Sequence, residues 1–247
     1  MTFKIVKFFF YLLLAFLGGC ASVMRLPTTS PFRSENVGGN AATIESQFGT
    51  AARLQAASDY RDTPINGPAT AFETNTLDLH GFWGLNEFFD TYWQWNVGGS
   101  NVVGLKFQAV WPNLREGKSG DFSLSMAAGF GLYVAGGESA AGTTLVTRKY
   151  ITEYASPQGE ITIGIRPFNP VLISLGVYYS RFTHNVSFSE GSREEFKLRG
   201  NQTIFHLSGT LTSGVVLATI DVGQSKLTYG SRTNTDLSND LNAGHIW

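Results

Sequence analysis

The chain has 247 residues but only one cysteine, Cys20, and few charges. One thiol cannot form an intramolecular disulfide, so no disulfide framework holds this fold. The four histidines, His80, His184, His206 and His245, are scattered. With the lone cysteine they offer no zinc-ligand spacing, and no metal site is expected. Charged residues make up 15% of the chain, below the ~25% usual in soluble domains. The formal net charge is −1. There is no run of five or six like charges and no basic stripe, so a nucleic-acid surface is excluded. No glycine-rich phosphate loop joins a strand to a helix; Gly129 and Gly131 lie inside an alternating run. No cofactor is expected. Long apolar runs are also missing: the one uncharged stretch near the start, Phe8 to Leu17, is too short to cross a bilayer as a helix.

What the chain has instead is alternation, clearest in FSLSMAAGFGLYV from Phe122 to Val134. Phe122, Leu124, Met126, Ala128, Phe130, Leu132 and Val134 fall on one face. Ser123, Ser125, Ala127, Gly129, Gly131 and Tyr133 fall on the other. That is a strand with one apolar face and one small, mostly polar face. Its length, about 43 Å at roughly 3.3 Å per residue, suffices for a tilted strand to cross an apolar band of about 25 Å. Glycine, at 28 residues, and aromatics, at 13%, are abundant, as suits a barrel wall.

The N-terminus reads as an export address. Lys4 and Lys7 precede the uncharged stretch, which has the length of a signal-peptide core. It ends in Leu17-Gly18-Gly19-Cys20, which resembles the lipobox of bacterial lipoproteins. The resemblance implies that residues 1–19 are removed and Cys20 is lipidated. With no Asp after the cysteine, it also implies sorting to the outer membrane of a Gram-negative-type bacterium. The alternative is an ordinary signal peptide with Cys20 incidental.

Residues 20–71 read as a lipidated tether. Ser22 to Asn40 carries Pro27, Pro31, Gly38 and Gly39 and reads as flexible. Ala41 to Ser58 shows a weak helical pattern at Ile44, Phe48, Ala51 and Leu54, fitting a short helix at a barrel mouth or a loosely ordered linker. From 72 to 247 alternating runs follow one another. Gly98-Gly99-Ser100 marks a hairpin, Ser156 to Gly159 a turn, and long loops are expected at 112–121, 136–143, 188–201 and 230–240. The expected fold is all-β: an up-and-down antiparallel barrel of 8–12 strands, best ten. The terminal Trp247 resembles the C-terminal aromatic of outer-membrane barrels. That implies the barrel-assembly and lipoprotein-sorting machineries as partners, beside membrane lipids.

Lipid cannot satisfy polar groups, so an inserted barrel turns its apolar face outward. Trp83, Trp93, Trp95, Trp111 and Tyr179 lie near strand ends, where aromatic girdles sit. Lys106, Gln108, Arg148 and Arg166 are then candidates for lumen polarity. The alternative is a lipid-tethered soluble barrel of lipocalin type, its apolar face turned inward around an apolar ligand. Chemistry has one candidate. His206 and Ser208 share a strand face, as a base and a hydroxyl must in a nucleophilic dyad, and resemble the His-x-Ser of outer-membrane lipid A deacylases. Asp78, Glu153 or Asp221 could orient the imidazole. Asp78 and His80 form a second same-face pair. The plain reading of all four is that they are lumen residues bonded to their neighbours, and the main expectation is a noncatalytic barrel, structural or a narrow pore.

Overall fold

The computed structural model describes residues 23–27, 30, 32–39, 41–55, 69–96, 100–110, 117–141, 146–188, 195–213, 216–232 and 237–245. The signal segment, Cys20, Trp111 and Trp247 lie outside the described residues. Among the described residues eleven strands form one antiparallel sheet in sequence order. They are β1 (Val23–Pro27), β2 (Ala42–Gln55), β3 (Ala69–Gly84), β4 (Phe89–Asn96), β5 (Asn101–Val110), β6 (Phe122–Ala141), β7 (Val146–Phe168), β8 (Val171–Phe188), β9 (Glu195–Ser213), β10 (Val216–Arg232) and β11 (Leu237–His245). The chain is therefore an all-β meander, as its alternation demands. Among the described residues no ladder joins β11 back to β1.

The two faces have opposite chemistry. On β6, Phe122 is 49% exposed and Leu132 54%, while Ser123 is 1% exposed. The same alternation runs along the neighbours: Ile161, Ile163 and Ile165 on β7, Leu175 and Val177 on β8, and Phe205 and Leu207 on β9 face outward. Between them Thr162, Ser174, His206 and Ser208 are buried. The apolar face is thus the outer one, and the inner face is mostly polar, with Leu172, Phe182, Ile204 and Leu227 buried among the polar groups.

What covers the inner face is the stretch of residues 30 and 32–37, which have no regular secondary structure. Ser30 and Phe32–Val37 are buried. Their side chains and amides meet β2 through β8: Glu45, Phe82, Asp90, Gln108, Ser123, Glu160 and Ser174 all touch this short stretch. One short segment can reach so many strands only if the sheet curls around it. Phe32 packs edge-on to Tyr92 at 4.6 Å and to Phe82 at 6.1 Å. With Val37, Ala41, Val102, Ala127 and Leu172 these make the small apolar core.

Several expectations need correcting. The helix or linker at 41–58 is a strand, β2, and the stretch read as a flexible tether is the buried filling of the sheet. Ile44, Phe48 and Leu54 are all even-numbered, so they fit a period of two as well as a helical one. The sheet therefore begins with β1 rather than at 72. Ser156 to Gly159 is no turn: β7 runs straight through it, with Pro157 opposite Phe130 of β6. The ladder to β8 lapses there, with no partners for 156 and 157, which is how a proline lacking an N–H is accommodated. The loops expected at 136–143, 188–201 and 230–240 are shorter, because β6 extends to Ala141, β9 starts at Glu195 and β11 at Leu237.

Candidate functional site

The inner face and its filling carry nearly all the buried polar chemistry. Lys106 on β5 is 2% exposed and Arg166 on β7 is 1% exposed. An ammonium or guanidinium so buried must be paired. Arg166 donates Nε to Glu35 Oε1 at 2.7 Å and Nη2 to Oε2 at 2.6 Å, a two-pronged pair. Lys106 Nζ donates to the Glu35 carbonyl oxygen at 2.6 Å. Burial raises the Glu35 carboxyl above the usual carboxylate range, against the pull of Arg166 and Lys106. Gly117 lies against this pair: a Cβ there would stand 2.1 Å from Arg166 Nε.

The rest of the segment is held in the same way. Arg33 donates Nη1 to Glu45 Oε2 at 2.6 Å and also pairs with Oε1. Its guanidinium stands 5.7 Å from the Phe82 ring centre. The Val37 amide donates to Asp90 Oδ2 at 2.8 Å, and the Asn36 amide donates 2.5 Å to Gln108 Oε1. Ser123 Oγ donates to Ser34 Oγ at 2.7 Å, and Ser34 and Ser174 hydroxyls share a bond at 3.1 Å. Ser34 also occupies the space a side chain at Gly164 would need, 1.9 Å from its Cβ position.

Of the residues read from sequence as lumen-facing, Lys106, Gln108 and Arg166 are buried on the inner face. Arg148 sits on β7 opposite Ser139, and its side chain is outside the described set. His206 and Ser208 are both buried on β9. His206 Nε2 is 2.8 Å from Glu160 Oε1. Among the described residues its Nδ1 has no hydrogen-bond partner, and Ser208 Oγ makes no hydrogen bond to the ring. A working dyad needs that bond. Of the three carboxylates considered, Glu153 faces outward, Asp78 is buried on β3, and Asp221 lies opposite Ser208 on β10. The carboxylate that does bind the imidazole is Glu160, which the sequence reading missed. It also accepts from Thr162 Oγ1 at 2.8 Å and from the Ser30 hydroxyl. Its sequence signal was present, since Glu160 and Thr162 share the face opposite Ile161 and Ile163. Glu160 is thus a hub tying segment to wall. Asp78 and His80, the second pair, are both buried inward on β3.

Among the described residues no group of three His, Cys, Asp or Glu side chains is placed to hold a metal ion. The arrangement binds the chain's own segment rather than presenting a base and nucleophile to a substrate. No protein-family model matches the chain, and neither a curated protein nor a solved structure shows significant similarity to it.

Proposed function

We propose that this chain is an outer-membrane β-barrel lipoprotein, moored at Cys20 and noncatalytic, whose lumen is occupied by its own segment 30–37. The observation that carries the reading is the outward direction of Phe122, Met126, Phe130 and Leu132 over buried Ser123 and Ser125. An outer surface of that kind is stable against acyl chains and costly against water. Exposed Trp83 and Trp93 add the amphipathic rings that favour a bilayer interface. Insertion requires the free edges of β1 and β11 to be satisfied, so closure of the sheet into a barrel is part of the proposal.

A lipocalin-like carrier turns its uniform apolar face inward; here that face points outward, and the inner face sets buried Phe182, Ile204 and Leu227 among Ser174, Gln202, His206 and Ser208. Hydrolysis by His206 and Ser208 has a carboxylate on the imidazole, Glu160, but among the described residues no bond from the ring to the Ser208 hydroxyl.

The test is membrane fractionation of Cys20→Ser. Lacking its acyl group, this variant is expected to stay in the membrane after alkaline carbonate extraction, as the parent does. Release of the variant into the aqueous phase would show that only the lipid held it.

A further inference from the structure

β1 stops short of its neighbour. Its last pair is Pro27 with Ala51, while β2 begins at Ala42. Residues 42–50 of β2 therefore pair with β3 on one side, and among the described residues with no strand on the other. Those backbone groups need partners in lipid, and the chain nearest in sequence is segment 30–37.

The β1–β2 register, Val23 with Gln55 through Pro27 with Ala51, can simply be continued. Continued, it sets Phe32 opposite Ser46, Arg33 opposite Glu45, Ser34 opposite Ile44 and Asn36 opposite Ala42. Residues 37–41 then remain as the turn. That turn is already in place, with Gly38 at φ 90° and the Ala41 amide donating to the Gly38 carbonyl at 3.2 Å. Arg33 already bonds Glu45, the residue this register would put across from it. On alternation, Arg33 and Glu35 take the inward face with Glu45, and Phe32 the outward face with Ile44. Pro31, four residues after Pro27, takes the same side of the strand as that proline.

We infer that segment 30–37 exchanges between two seats, one filling the lumen and one extending β1 along β2, and that the second opens a polar conduit for small cations. The conduit part rests on the membrane reading above. With the segment in the extended seat, the described inner wall carries Glu35, Glu45, Asp78, Asp90, Glu160 and Asp221 against Arg33, Lys106 and Arg166. This excess of carboxylates favours cations.

The experiment uses the full-length acylated protein with Ser34→Cys paired either with Ser174→Cys or with Ile44→Cys. Ser34 and Ser174 hydroxyls are 3.1 Å apart, so the first pair locks the filled seat. The second pair can join only in the extended seat, because Ile44 faces outward and Ser34 is buried inside. Ser34→Cys alone controls for Cys20. In detergent, oxidation is expected to close both pairs. In planar bilayers under a KCl gradient, the oxidised S34C/S174C protein is expected to be silent. The oxidised S34C/I44C protein is expected to conduct, with potassium preferred over chloride, and reductant returns both to the parent's behaviour. If S34C/I44C does not close while S34C/S174C does, there is one seat and the exchange is overturned. If S34C/I44C closes and the protein floats with liposomes yet stays silent, the conduit is overturned. Failure to float sinks the membrane reading and the conduit with it, while cross-linking in detergent still decides the exchange.

Discussion

Arg166 and Glu35 form an exacting contact. Both side chains are 1% exposed, and they meet in two hydrogen bonds. A buried pair adds little net stability over an apolar replacement, but removing one partner strands the other and costs about 3–5 kcal/mol. Arg166→Met and Glu35→Gln are each expected to lower unfolding stability on that scale. The double variant is expected to lose much less than the sum, read as coupling in a double-mutant cycle of urea titrations.

At the level of the strand, the inner wall is shaped by missing side chains and the outer wall by present ones. Gly164→Ala puts a methyl group 1.9 Å from Ser34 Oγ and 2.9 Å from Ser123 Oγ. Overpacking of this kind costs about 1–3 kcal/mol, and the segment must shift, so faster proteolysis within 30–37 is expected. Gly209→Ala, with nothing within 4 Å of its Cβ position, is the matched control and should be close to neutral. On the outer face, Leu175→Lys is expected to cost about 2–4 kcal/mol in lipid if it lies near the midplane, and far less in a water-facing sheet.

The same strands show what could be read from sequence. β6 was legible because each face is nearly uniform, so Ser123 and Phe122 could belong to no other pattern. The direction of that face was not legible, since alternation is identical whether apolar side chains point in or out. β7 was misread at Pro157 because a proline beside Gln158-Gly159 is turn chemistry locally, and only the ladder with Phe130 keeps the strand extended. Segment 30–37 was misread for a deeper reason. Serine, arginine, glutamate and asparagine in a proline- and glycine-flanked stretch are what a solvated tether looks like, and their burial depends on partners more than seventy residues away, such as Gln108 and Glu160.

Among the described residues the interior is mostly polar and the exterior apolar, the inverse of a water-soluble domain. The eleven strands of the described residues also have a plain geometrical consequence. An even meander brings both ends of a chain home to one rim; an odd one delivers them to different sides. β1 starts beside Gln55, and β11 runs away from that level toward the other mouth. In the lipoprotein proposed above, a fatty acid on Cys20, three positions ahead of Val23, would fasten the side of the bilayer from which β11 departs. Short epitope tags beside the two ends, probed with antibody on intact cells, are expected to light up one at a time and never together.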